Sequence, residues 1–141
     1  DKYNLQEAYK KESIDYHLET TVSHNSKIDT NTILAHSLEN FSKNHLTESD
    51  IDKLIHGYTF PKTNQSLGLM YVVDYFNKNE KNGCVWVVFF NIHTKTVLHA
   101  EPFTTPAGGF GLRNYWAKVV YGAIADSKKA YNGKWKKFKK E

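Results

Sequence analysis

An α+β fold is predicted by three features of the chain. Residues 67–103 read as three strands in succession, joined by short polar reversals, as in an antiparallel meander. Residues 112–124 carry an apolar stripe at helical spacing without a break. Residues 14–22 alternate apolar and polar side chains, which adds a strand earlier in the chain. Together they predict an antiparallel sheet of about four strands, with its meander in the C-terminal half and helices packed mainly on one face.

Each element has its own warrant. Residues 1–12 are polar apart from Tyr3, Leu5, Ala8 and Tyr9, and form either a short helix or a loose arm. In residues 14–22, Ile14, Tyr16, Leu18, Thr20 and Val22 point one way and Asp15, His17, Glu19 and Thr21 the other, the pattern of a half-buried strand. After a polar break over 23–30, Asn31 or Thr32 caps a helix with Ile33, Leu34, Leu38 and Phe41 on one stripe. Thr47 opens a second short helix, with Asp50 three residues on as a shortened relative of the capping box. Ile51, Leu54 and Ile55 give it an apolar face, and Gly57 stops it.

The meander follows. Over 67–76, Leu67, Leu69, Tyr71, Val73 and Tyr75 share one face; Met70, Val72 and Phe76 share the other with Asp74. Residues 78–83 turn the chain, ending in the hairpin signal Asn82-Gly83. Residues 85–90 are apolar on both faces, which suits the centre of the sheet. His93, Thr94, Lys95 and Thr96 make the next reversal. The strand that returns over 96–103 contains Pro102, so it leaves the ladder there or lies at an edge. Leu112, Tyr115, Trp116, Val119, Val120, Ala123 and Ile124 then mark a helix laid across the sheet, and Gly133 ends it.

The 141 residues make one domain over 1–133, followed by a cationic tail over 134–141 that is expected to be flexible. Residues 127–141 hold seven lysines against one acid, and the other 126 residues hold 12 basic and 14 acidic groups. The net charge of +4 therefore belongs to the tail and not to a basic groove in the body. No apolar run is long enough to span a membrane. One cysteine, Cys84, allows no internal disulfide and no cysteine-based zinc site.

The residues that stand out chemically surround a glycine loop. Gly108, Gly109 and Gly111 lie where the last strand ends and the last helix begins. A helix start offers free N–H groups and partial positive charge, and glycines let an anion approach the backbone. Arg113, the single arginine, adds a planar fork, and Phe110 is either a packing plug or an exposed anchor. The pattern matches neither glycine-rich nucleotide motif, and it follows a meander, so the loop reads first as a hinge folding the last helix onto the sheet. The tail residues Lys134, Trp135, Lys136 and Lys137 interleave charge with an aromatic ring, which suits phosphate backbones or an anionic surface.

Elsewhere, His17 with Glu19 and His99 with Glu101 stand two apart, so each pair shares a strand face. They could converge on a metal if their strands were neighbours, but the seven histidines form no ligand-spaced motif. Asp74, on an apolar strand, could have a raised pKa and act as an acid or base, but it reads first as an edge-facing or hydrogen-bonded carboxylate. No cofactor, metal or catalytic residue is assigned.

The run Phe89-Phe90-Asn91-Ile92-His93-Thr94-Lys95-Thr96-Val97-Leu98-His99-Ala100 reads as strand, turn, strand. With the glycines and the closing helix, residues 67–131 resemble small α/β lipoprotein domains of bacterial envelopes, of the curli-secretion lipoprotein type. Asn91 and Lys95 stand where that turn pattern has Asp and Gly. The resemblance implies an exported domain without chemistry of its own, periplasmic, envelope-associated or secreted, and it transfers no catalytic residue; a cytoplasmic location stays open. The leading expectation is a binding and assembly domain for a protein partner. The alternatives are an anion- or phosphate-binding module, enzymatic or not, using the glycine loop and Arg113, and nucleic-acid binding through the lysine tail.

Overall fold

The computed structural model describes residues 4–29 and 45–135. The elements run α1 (Leu5–Tyr9), α2 (Leu18–Asn25), α3 (Glu48–Gly57), β1 (Leu67–Asn77), β2 (Asn82–Asn91), β3 (Val97–Pro106) and α4 (Leu112–Gly133). The α+β class holds, with one antiparallel sheet of order β1-β2-β3. The helix expected over 33–41 lies outside the described residues.

The strand expected over 14–22 is instead the helix α2, so the described sheet has three strands and not four. Leu18 and Val22 stand four apart, so the stretch satisfies a helical period as well as an alternating one. An alternating stretch becomes a strand only if a neighbour takes up its backbone bonds, and among the described residues β1 pairs with β2 alone. As a helix the segment bonds to itself, and His24 stacks on Tyr58 with ring centroids 4.0 Å apart.

α3 begins where its cap predicts. The Thr47 side chain accepts from the Asp50 N–H, and the Asp50 carboxylate accepts from the Thr47 N–H at 2.8 Å, a reciprocal capping box. The Thr47 N–H bond foremost, and then the Thr47 hydroxyl donating to Asp50 Oδ2 at 2.8 Å, hold the Asp50 carboxyl below its ordinary value of 3.8.

β2 is central and buried along almost its whole length. The β1–β2 reversal occupies residues 78–81, with Lys81 at φ 53°, so Asn82 and Gly83 open β2 instead of forming the turn. Gly83 is there for close packing: a Cβ would stand 2.8 Å from the Tyr75 carbonyl and 2.9 Å from Val119.

Backbone phase explains the prolines. Ile92 N–H donates to the Ser66 carbonyl at 2.8 Å, and Asn91 N–H to Thr96 at 2.8 Å. Residues pointing into an antiparallel ladder alternate with residues pointing away. With the observed register, His99, Glu101, Phe103 and Thr105 of β3 face β2, and Ala100, Pro102, Thr104 and Pro106 face outward. Both prolines therefore sit where no ladder donor is needed, and β3 continues through Pro102 as an edge strand. By the same phase Leu67, Leu69, Tyr71 and Val73 turn their backbone groups to the outer edge of β1, before the irregularity between Val73 and Tyr75.

Helices cover both faces. On one, Val87 and Phe89 pack with Tyr9 of α1, Tyr131 of α4 and Trp135. On the other, Trp86, Val88 and Phe90 pack with Ile51 and Ile55 of α3. The helices are thus divided between the faces and not gathered on one: α1 and the long α4 cover the first and α3 the second, because β2 is apolar on both sides. A buried hydroxyl chain ties that side together: Tyr9 Oη lies 2.8 Å from Tyr71 Oη and 2.7 Å from Ser127 Oγ, which bonds the Ile124 carbonyl at 2.9 Å. Burial pushes both phenols above their ordinary range, so they act as neutral hydrogen-bonding groups.

α4 buries Val119, Ala123, Ile124, Ser127 and Tyr131. Leu112, expected on that stripe, is 76% exposed, because it begins the first turn beyond the end of the sheet. The helix lies close against β3 at Gly122, where a Cβ would stand 2.7 Å from Thr105 Cβ. There the Thr105 hydroxyl donates to the Val119 carbonyl at 2.7 Å, in a buried bond between β3 and α4.

Candidate functional site

The glycine loop is a built turn, pinned on two sides. Ala107 N–H donates to the Lys81 carbonyl at 2.8 Å, fixing the loop to the β1–β2 hairpin. Gly108 N–H donates to the Tyr115 carbonyl at 3.1 Å, and the Asn114 side-chain amide to the Phe110 carbonyl at 3.0 Å, folding the loop back over the start of α4. Gly109 has φ 109° and Gly111, the N-cap, φ 82°, conformations that side-chain-bearing residues rarely adopt.

Between those two glycines Phe110 is 96% exposed. Of the two roles open to it, the packing plug is excluded. Burying a phenyl ring is worth roughly 1.5–3 kcal/mol, which this ring does not gain. Leu112 beside it is also exposed. Arg113 is exposed on the first turn, and its guanidinium has no ion-pair partner among the described residues. The helix start has no acid in its first turn and no side-chain cap, so its positive end is uncompensated.

The fold adds residues that no sequence motif signals. Lys118 lies against Gly108, its Nζ 3.1 Å from where a Cβ would stand. Phe76, from the end of β1, stacks on Trp116 with centroids 4.7 Å apart, and Tyr115 meets Trp116 edge-on. The hairpin alongside carries Lys78, Glu80 and Lys81. Hairpin and helix start are far apart in the chain, so only the register of the sheet brings them together.

Of the tail candidates, Lys134 and Trp135 lie at the other end of α4. Twenty-two helical residues span about 33 Å, so the loop and Lys134 cannot form one patch. Lys134 is exposed, and Lys136 and Lys137 lie outside the described residues. Trp135 is not a solvated tail residue: it is 4% exposed and packs in the core with Phe89 and Phe103. Its indole N–H donates to Glu101 Oε2 at 3.1 Å, and His99 Nε2 lies 3.3 Å from the same oxygen. The ordered domain thus runs to at least residue 135.

The other candidates have structural duties. His17 and Glu19 belong to the start of α2 and not to a strand beside β3, so the two His/Glu pairs do not converge. No group of three or more metal-ligating residues occurs among the described residues. Asp74, with its side chain 5% exposed, accepts from the Leu46 N–H at 3.2 Å and the Trp86 indole at 3.4 Å, anchoring the chain before α3 to β1. Cys84 is buried, and that burial pushes its thiol pKa up, away from the reactive thiolate. A cavity of about 870 Å³ runs beside β1, between described residues that include Tyr16, Ile28, Tyr58 and Phe60. No described helix is long and apolar enough to cross a membrane.

No protein-family model matches the chain, and neither does any curated protein or solved structure.

Proposed function

We propose that this is a non-enzymatic binding and assembly domain that acts by surface contact, with the glycine loop as its contact element. The observation that carries the reading is Phe110, held out in solvent between two positive-φ glycines on a loop fixed at both ends. A rigid mount under an exposed aromatic ring gives contact area at little entropic cost on binding. Asp74 and Cys84, which could otherwise carry chemistry, are occupied in packing and hydrogen bonding. The likeness of residues 67–131 to envelope lipoprotein domains supports a periplasmic, envelope-associated or secreted location. The test is a photo-crosslinking residue at position 110 in cells, compared with one at Lys53 on the exposed face of α3. Adducts several times more abundant at 110 are expected; equal yields at both positions would remove the loop from its role.

The uncapped, acid-free start of α4 favours a second reading, an anion-binding module centred on Arg113. It predicts that inorganic phosphate raises the melting temperature of the parent protein and not that of Arg113→Ala. Equal shifts in both proteins would leave the contact reading alone.

A further inference from the structure

We infer that the surface met by the glycine-loop end is an anionic lipid bilayer; this rests on the contact reading just given. Three kinds of side chain gather at this end, and they are the kinds a membrane interface requires. Phe110 and Leu112 form the exposed apolar tip. Tyr115 and Trp116, both half-buried, form an aromatic cluster with the exposed Phe76 beside it. Around them stand Arg113, Lys118, Lys78 and Lys81, opposed by Glu80 alone. From residue 104 to residue 125 the chain holds no acid at all.

Charge is the argument for the occupant. Outside its last 15 residues the chain is net acidic, with 14 acids against 12 bases. This end nevertheless collects four basic side chains against one acid. A negative, laterally extended surface fits a basic ring surrounding an apolar point. Phe and Leu then enter the acyl boundary, the Tyr and Trp rings sit at headgroup level, and the bases stay at the phosphates. Lys134, where the cationic tail begins, is about 33 Å away at the other end of α4, and the two features are separable by mutation.

The test is sedimentation of the full chain with phosphatidylcholine vesicles, and with vesicles in which about one third of the lipid is phosphatidylglycerol. A basic side chain near such a surface is worth roughly 1 kcal/mol, about fivefold in partitioning, so four predict a preference for anionic vesicles well above tenfold at low salt. That preference should collapse in about 0.5 M salt. Phe110→Ala should lower partitioning by about tenfold or more. Arg113→Gln should lower it about fivefold, and Lys53→Gln should leave it unchanged. Absence of sedimentation at low salt, equal binding to both vesicles, or indifference to Phe110→Ala overturns the inference. So does binding lost only when Lys136, Lys137, Lys139 and Lys140 are changed to Gln, which would assign it to the tail. The crosslinker at 110 separates the two levels: protein adducts without vesicle binding overturn the lipid and keep the contact reading, and neither result overturns both.

Discussion

Replacing Gly122 by Ala should destabilise this protein, although helix propensity alone predicts the opposite. Gly122 lies in the interior of α4, where Ala is favoured over Gly by about 1 kcal/mol. The added methyl, however, would stand 2.7 Å from Thr105 Cβ and 2.9 Å from Thr105 Oγ1. Neither can swing away freely: Cβ is fixed to the backbone of β3, and Oγ1 makes the buried 2.7 Å bond to Val119. Overpacking of this kind costs about 1–3 kcal/mol. Weakening a buried hydrogen bond adds about 0.5–1.5 kcal/mol. Against the propensity gain, the net is a loss of about 0.5–3.5 kcal/mol. The assay is urea unfolding followed by tryptophan emission, with the slope expected to stay constant and the midpoint to fall. Gly133→Ala is the matched control, at the end of the same helix with nothing within 4 Å of the new atom. If Gly122→Ala proved as stable as the parent, the close approach of α4 to β3 would be wrong, and with it the placement of the glycine loop.

Further predictions follow from the same contacts. Tyr9→Phe removes the hydroxyl joining Tyr71 to Ser127 and should cost about 1–2 kcal/mol by urea midpoint; no change would mean that this chain of bonds is not formed. Because the Asp50 carboxyl is held below 3.8, its contribution is present above that pH and disappears as pH falls through the folded value. The stability gap between parent and Asp50→Asn should therefore be seen at neutral pH and close in acid; a constant gap would contradict the cap. Pro102→Thr, at an outward position, should change stability by less than about 1 kcal/mol. Glu101→Pro, which removes a ladder donor and an acceptor for Trp135, should be far more damaging; equal effects would reverse the assigned backbone phase.

Much of the fold is legible in the sequence because its signals are local. The alternation over residues 67–73, the doubly apolar run over 85–90 and the Thr47/Asp50 cap are read from neighbouring residues, and each forms as expected. Beyond Val73 the irregularity shifts the phase, so Phe76 packs on Trp116 of α4 and does not share the face of Met70 and Val72. Residues 14–22 mislead because alternation there coincides with the helical pair Leu18 and Val22, and a strand needs a partner that the segment's own residues cannot specify. Trp135 looks like tail by composition, since its neighbours are lysines; Glu101, Phe89 and Phe103 decide otherwise, all of them distant in sequence. At the contact end, Phe110 and Arg113 stand out in the sequence through the glycines around them. Lys118, Phe76 and the hairpin lysines join them only through the β1–β2 register and the first turns of α4.

An environment-sensitive label at position 110 tests the central claim most directly. The native cysteine is buried, so Phe110→Cys supplies one accessible thiol for an apolar fluorophore that stands in for the phenyl ring. With anionic vesicles at low salt, the emission should move to the blue and return when salt is added, and the same label at Lys53→Cys should not respond. Emission that stays unchanged at 110, or that shifts equally at both positions, would contradict the assignment of this end to an anionic bilayer.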